Sequence, residues 1–272
     1  MIDPKESGTE AGSVPPPTQP LVLAVGDLSV SYGGVQALVE VSLRVPEHNV
    51  VGVIGPNGAG KTTLILAVTG FAKSSGEVRF EGRPIQGWPA YRRARAGLAR
   101  TFQAVELFQD LTVRENVLTH SDPYAPAGWL ADMLLGDRST SDENFRWVAE
   151  LLGISELAEA RSSSIPAGTR RLVGLARALA ARPRLLLLDE PGAGLDRQAS
   201  LKLARTVREL VDSRVTTVLL VDHDMGLVFD VCDYIYVLDF GHLIAQGRPD
   251  QVRADPAVIR AYLGSGFGKE VA

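Results

Sequence analysis

The chain has 272 residues, of which 45% are hydrophobic and 22% charged, with a formal net charge of -4 and an isoelectric point near 5.6. That length suits one large domain or a domain with an inserted lobe. The balance of charge has no basic excess, so no nucleic-acid partner is expected. The one cysteine, Cys232, excludes an intrachain disulfide, and its apolar setting beside Leu227–Val231 reads as a small buried side chain.

Residues 1–20 are rich in Pro, Gly, Ser, Thr and Glu and contain the run Pro15-Pro16-Pro17. They cannot bury much apolar surface and are expected to be a disordered leader, with the folded part beginning near Leu21. They lack the basic start and apolar core of a signal peptide. The stretches Leu21–Val25, Val41–Val45 and Val50–Ile54 then read as strands. Gly60–Gly70 reads as a helix opening out of a glycine loop, and Val78–Phe80 as a strand turned by Gly82 and Pro84. After Gln103 the character changes to helical patterns over Leu111–His120, Glu143–Leu152 and Thr169–Ala181. Leu185–Asp189 is apolar up to its final acid, as a strand covered on both faces of a parallel sheet must be. A helix over Leu201–Val211 and strands over Thr217–Val221 and Tyr234–Leu238 complete the series. The longest apolar runs, Leu185–Leu188 and Val218–Val221, are strand-length, so no membrane span is expected. The pattern predicts an α/β core of two sequence halves, 21–104 and 182–265, with a helical subdomain, 105–181, inserted between them and a tail over 266–272.

Three motifs carry chemistry. Gly55-Pro56-Asn57-Gly58-Ala59-Gly60-Lys61-Thr62-Thr63 matches the phosphate-loop pattern, following an apolar strand and opening a helix. A triphosphate needs backbone N–H groups turned inward, which Gly58 and Gly60 permit, and the helix N-terminus adds positive potential. Lys61 can reach the terminal phosphates and Thr62 can ligate Mg²⁺. In Leu185–Glu190 an apolar strand ends in two acids: Asp189 would hold Mg²⁺ through water, and Glu190 could act as general base on the attacking water. Strands often end in acids, and it is the phosphate loop upstream that gives this pair meaning. The third is Val221-Asp222-His223-Asp224. A lone histidine is more often structural than catalytic, but one just past the strand that follows Asp189-Glu190 can donate to a γ-phosphate.

With these motifs the chain resembles the ABC transporter ATPases from Leu21 to Gly264. The resemblance implies a P-loop NTPase fold: a mixed parallel sheet, an N-terminal antiparallel sheet and an inserted α-helical subdomain. It implies that Tyr32, in Ser31-Tyr32-Gly33-Gly34, stacks on adenine, and that Gln103, in Thr101-Phe102-Gln103, senses Mg²⁺ and the membrane subunit. It also places Asp196, in Gly194-Leu195-Asp196, at a dimer interface and makes His223 the switch histidine. Within the family the chain is similar to the ATP-binding proteins of branched-chain (hydrophobic) amino acid uptake. The carriers of that likeness are Arg100-Thr101-Phe102-Gln103 with Leu107-Phe108, Leu111–Asn116, His223-Asp224-Met225 and the ending Ile259–Gly264. Lipopolysaccharide-export ATPases share part of that tail.

The resemblance further implies an ATPase using ATP and Mg²⁺, peripheral at the cytoplasmic face of the membrane. Its partners would be transmembrane permease subunits, a second ATPase copy or, preferably, a paralogue, and indirectly a solute-binding protein. One motif departs from the family. The signature Leu-Ser-Gly-Gly-Gln, which binds the γ-phosphate held by the opposite subunit, reads Ile165-Pro166-Ala167-Gly168-Thr169 here, with only Gly168 kept from its polar core. Pro166 has neither hydroxyl nor N–H but suits a first helical turn. A pairing with a paralogue is therefore expected, in which this chain's phosphate loop meets an intact signature. Against these stand other roles. A P-loop GTPase lacks support because no Asn-Lys-x-Asp guanine reader is present, and a small-molecule kinase would need a second substrate lobe. A ribosome- or DNA-acting ABC ATPase would carry tandem copies or coiled coils. A weakly hydrolysing partner subunit, or an exporter ATPase, remains an alternative within the family.

Overall fold

The computed structural model describes residues 19–101, 107–119, 138–193 and 197–263. Two sheets organise it. The first is antiparallel, in the order β2-β1-β4-β5, formed by β1 (Leu21–Tyr32), β2 (Val35–Pro46), β4 (Ser75–Phe80) and the short β5 (Arg83–Pro84). The second has six strands in the order β10-β9-β3-β8-β7-β6: β3 (Val50–Ile54), β6 (Leu98–Arg100), β7 (Leu185–Asp189), β8 (Thr217–Val221), β9 (Tyr234–Asp239) and β10 (His242–Gly247). Its inner strands pair in parallel, and β10 returns antiparallel beside β9. The expected combination of a mixed parallel sheet and an N-terminal antiparallel sheet is what the chain adopts.

The apolar runs of β3, β7 and β8 are buried at every residue because both faces of this sheet are covered. Side chains alternate between two cores. Val51, Val53, Leu185, Leu187, Leu219 and Val221 face the antiparallel sheet and helix α1 (Lys61–Thr69). Val50, Ile54, Leu186, Leu188, Val218 and Leu220 face the opposite core. That second core is filled from α3 (Val113–Leu118), α4 (Arg138–Leu152), α5 (Ala167–Ala180), α6 (Arg197–Asp212) and α7 (Met225–Val231). The C-terminal α8 (Pro249–Ala254) and α9 (Pro256–Leu263) add to it. Cys232, 7% exposed, belongs to it as the expected small buried side chain.

Several elements run longer or lie elsewhere than the sequence suggests. β1 continues seven residues past Val25 because a bulge at Gly26-Asp27, with Asp27 at φ 48°, lets Leu28 and Val30 keep facing the core. The first of the helical-region elements, α3, starts only after Thr112. That residue caps it by accepting from the Glu115 N–H at 3.1 Å, while its own N–H donates to Glu115 at 2.8 Å. The end of the predicted helix at His120 lies outside the described residues. α5 begins at Ala167, two residues before the predicted Thr169, with Pro166 as its N-cap. Short α2 (Ala90–Arg95) and three-residue β6 carry too few apolar positions to be read as periodic. The leader over 1–18 and the tail over 266–272 lie outside the described residues.

Asn116 fixes the helical region internally. It is fully buried; its Oδ1 accepts from the Phe108 N–H at 2.8 Å, and its Nδ2 lies 2.7 Å from Ser162 Oγ, 2.9 Å from Thr112 O and 3.0 Å from Phe108 O. A leucine there leaves these groups buried without partners, so Asn116→Leu is expected to cost about 2–4 kcal/mol. Urea denaturation measures this; a loss within about 0.5 kcal/mol would show that the network adds little.

Candidate functional site

The site follows from strand register. Val50–Val53 pair with Val218–Val221, and Leu185–Asp189 with Thr217–Val221, so the C-terminal ends of β3, β8 and β7 stop side by side. Each strand delivers its motif at that edge, where open parallel sheets bind ligands. From β3 comes the phosphate loop, from β7 Asp189 and Glu190, from β8 Asp222 and His223. The Glu190 N–H donates to Val221 O at 2.7 Å, which ties the two acidic and histidine loops together.

The phosphate loop has the backbone its glycines predict. Gly60, at φ 102°, is the N-cap of α1, and a Cβ there would lie 2.7 Å from both Ala37 O and Leu38 Cδ2. Gly58, at φ 83°, instead has open space where a Cβ would project, and Asn57 and Gly58 are exposed. One glycine is thus required by close packing from behind, and the other keeps the cradle's mouth clear. No side chain caps α1 and its first turn holds no acid, so its N–H groups remain directed toward the loop. Lys61 is buried and its Nζ donates to Gly55 O at 2.7 Å and Pro56 O at 3.0 Å. Burial pulls the Lys61 ammonium below its ordinary range, and the carboxylates of Glu190, Asp222 and Asp189 pull it back. Thr62 stands exposed one residue further, and Pro56, Ala59 and Thr63 complete the turn.

Asp189 is 3% exposed, its N–H donates to Thr101 Oγ1 at 3.3 Å, and its Oδ1 is buried with no hydrogen-bond partner. Burial pushes this carboxyl above the usual range; Arg100 and Lys61 oppose the rise, and Glu190 and Asp222 add to it. An unpartnered buried carboxylate oxygen beside the phosphate loop fits a site for a divalent cation shared with Thr62. Among the described residues no group of three His, Cys, Asp or Glu could hold a metal by itself. Glu190 takes φ 49°, the left-handed region, a strain of roughly 1–3 kcal/mol that clusters at functional positions. His223 Nδ1 lies 3.9 Å from Glu190 Oε1 and 3.5 Å from Asp222 Oδ1, and its ring is half-exposed.

Two further residues belong here that the motifs did not assign. Asp222 is fully buried, and its carboxylate accepts from the N–H groups of His223, Asp224 and Gly192 at 2.7, 3.0 and 3.0 Å. It shapes both loops at once, which no spacing in the sequence could reveal. Arg100, at the end of β6, faces Asp189 electrostatically and stacks over Phe71 at 5.6 Å.

Of the other predicted residues, Gly168 lines a cleft of about 290 Å³ together with Pro166, Thr169, Asp189 and Glu190. α5 starts there with no side-chain cap and no acid in its first turn. Tyr32 is half-exposed at the end of β1, joined by a two-residue turn to β2, whose Ala37 and Leu38 back Gly60. Gln103 and Asp196 lie outside the described residues.

Comparison with known proteins agrees with this geometry. The sequence profile of the ABC transporter family matches residues 38–193, and that of the "Branched-chain amino acid ATP-binding cassette transporter" matches residues 242–268. The chain is 38% identical over 250 residues to the high-affinity branched-chain amino acid transport ATP-binding protein BraF of Pseudomonas aeruginosa, covering 89% of this chain and 98% of BraF. It is 39% identical over 254 residues to LivG of Salmonella typhimurium, which bears the same description, covering 91% and 99%. The ATP-binding protein LptB of the lipopolysaccharide export system of Escherichia coli is 34% identical, covering 90% and 98%. Among solved structures, the ADP conformation of an ATP-binding cassette of an ABC transporter superposes with a TM-score of 0.79 at 30% identity, covering 90% and 99%.

The raised carboxyl of Asp189 has a consequence for stability. Its folded pKa lies above the unfolded one, so ionisation opposes folding. The penalty is absent below the ordinary Asp value of about 3.9 and fully present once pH has risen through the folded value. Asp189→Asn is therefore expected to be more stable than the wild type at pH 7, with the gain shrinking as pH falls. Urea midpoints at several pH values test this, and a variant no more stable at pH 7 would contradict the burial penalty.

Proposed function

The chain belongs to the ABC transporter family of ATPases, and on that premise we propose that it is the ATP-hydrolysing subunit energising a permease for import of branched-chain amino acids or related solutes. The observation that carries this reading is the meeting of Lys61, Asp189, Glu190 and His223 at the adjoining ends of β3, β7 and β8. Import is favoured over export because the C-terminal segment matches the branched-chain amino acid type.

In this reading Gly55–Thr63 cradle the phosphates of ATP with backbone N–H groups and Tyr32 supports the adenine. Lys61, already partly desolvated, neutralises charge on the terminal phosphate. Thr62 and Asp189, with Gln103, would hold Mg²⁺, which supplies positive charge to the phosphate oxygens. Glu190 orients the attacking water and takes its proton, and its strained backbone aims the carboxylate across the edge toward His223. His223 donates toward the γ-phosphate. The helical subdomain, 105–181, moves as a lobe against the core halves 21–104 and 182–265 and passes closure to the permease. No helix among the described residues is long and apolar enough to cross a membrane, which agrees with a peripheral subunit held at the cytoplasmic face by permease subunits. Any solute-binding protein acts through that permease.

Hydrolysis is assigned to a sandwich of two ATPase subunits, with Gly168 and Asp196 of each reaching the ATP of the other. Pro166 at the N-cap of α5 offers no hydroxyl and makes no side-chain cap. A hydrogen bond to a charged group is worth about 1.5–3 kcal/mol, so the grip across the interface would be weaker by roughly ten- to a hundredfold. That favours an asymmetric pair with a paralogue, in which this chain supplies the better equipped phosphate loop.

Glu190→Gln is expected to bind ATP as the wild type does while turnover falls by about 10²–10⁴; turnover within a few-fold of wild type would remove Glu190 from the role of base. Restoring the signature with Pro166→Ser and Thr169→Gln is expected to raise the ATP turnover of this chain alone by about tenfold or more. No gain would count against a weakened loop.

A further inference from the structure

Two glycines from distant parts of the chain close on one carbonyl. A Cβ on Gly60 would lie 2.7 Å from Ala37 O, and a Cβ on Gly241 would lie 2.8 Å from the same oxygen. Gly60 belongs to the phosphate loop, Gly241 to the turn between β9 and β10, and Ala37 to β2. The Gly241 Cα is itself 3.6 Å from where a Cβ on Gly60 would project. Three backbones meet at a spacing that neither glycine could keep with a side chain.

Hydrogen bonds fasten the same crossing. The buried Gly241 donates its N–H to Ala59 O in the phosphate loop at 3.1 Å, and its carbonyl accepts from the Val39 N–H of β2 at 2.9 Å. One residue thus holds the cradle with one group and the antiparallel sheet with the other. Phe240 and Gly241 both lie in the left-handed region, at φ 42° and 81°, as a two-residue hairpin turn between Asp239 and His242 requires. A bulky residue is unfavourable in that conformation, and Phe240 is 83% exposed, so burial of its own side chain does not offset the strain. Such strain persists where surrounding contacts fix the backbone, and here those contacts run to Ala59 and Val39.

From this crossing β2 leads back to Val35, the register partner of Tyr32. We propose that Gly241 is a positioning residue that sets the spacing between the two parts of the nucleotide site, the Tyr32 end of the antiparallel sheet and the cradle Gly55–Thr63. This rests on the reading of those parts as the adenine and phosphate contacts of ATP. Gly241 acts through Ala59 and β2, not on the nucleotide. Moving the turn against Ala37 leaves the cradle held between β3 and α1 but shifts Tyr32 relative to it. ATP spans both parts and loses affinity, whereas a ligand made of phosphates alone does not.

The test is titration of the full chain, in the presence of Mg²⁺, with ATP and separately with inorganic tripolyphosphate, comparing wild type, Gly241→Ala, Gly241→Asn and Gly82→Ala. Any side chain at Gly241 must displace the Ala37 carbonyl, and Asn tolerates left-handed backbone better than Ala, so a loss shared by the two variants reports the collision. Gly82, at φ 74° between β4 and β5, has open space where a Cβ would project and so carries the backbone strain alone. Both Gly241 variants are expected to bind ATP about three- to tenfold more weakly, with tripolyphosphate affinity within about twofold of the wild type. Gly82→Ala should bind both ligands as the wild type does, even where its urea midpoint falls. Unchanged ATP affinity in the Gly241 variants, an equal loss for both ligands, or a like loss in Gly82→Ala would overturn the positioning role. So would a wild type that binds ATP but no tripolyphosphate, because the cradle would then hold nothing without the adenine contact. A wild type that binds neither would instead overturn the ATPase reading itself, and this inference with it.

Discussion

Everything at the site depends on the parallel pairing of β3, β8 and β7 within a sheet buried on both faces. A one-residue slip in any of these strands would turn Val51, Leu187 or Leu219 toward the wrong core, displacing side chains that fill it at 0% exposure. Fully burying each such side chain contributes roughly 1.5–3 kcal/mol, so register is held by several side chains per strand. Because register is fixed, the strand ends are level, and the loops beyond them start from fixed points. The arrangement of Lys61, Asp189, Glu190 and His223 at the sheet edge is thus a by-product of core packing.

That scaffold supports groups which are individually unfavourable. Asp189 has a buried oxygen without a partner, Glu190 sits in left-handed backbone, and Lys61 is an ammonium drawn out of water. Each opposes folding, and each is oriented toward the same edge. Unfavourable groups brought together at one edge and offset by packing elsewhere are the pattern expected of a site adapted to a charged ligand. Asp222 shows how the offset is arranged locally. Its carboxylate satisfies three backbone N–H groups from two loops, so His223 and the segment after Glu190 are held by one side chain.

The helical region uses a different principle. Its core is joined to the central sheet by apolar contact, but its own folding is directed by polar groups: the Thr112–Glu115 capping box, the Arg114–Asp142 ion pair at 2.6 Å and buried Asn116. The Arg114–Asp142 pair lies near the surface and contributes little. Asn116 ties the stretch from Phe108 to Thr112 to Ser162 and so gives the helical region an internal order beyond its apolar packing.

Local chemistry in the sequence pointed to the phosphate loop and, with it, to the acid pair, the histidine and the strands that carry them. Glycine spacing and uninterrupted apolar runs are constraints a chain must satisfy before it folds, and they survive in one dimension. The α/β class was legible for the same reason, whereas the antiparallel N-terminal sheet followed only from the resemblance to the ABC transporter ATPases. What only the tertiary structure decided were the relations among distant segments. β1 runs past its apolar half because a bulge at Asp27 realigns it against β2 and β4, and β6 exists because Leu98–Arg100 find β7 beside them. Asp222 as a two-loop anchor and Arg100 as the cation facing Asp189 depend on residues that are far apart in sequence and meet only when the sheet and its helices are packed. Such roles have no period and no spacing, since a buried hydrogen bond is set by where two backbones approach, and that approach is decided by the core.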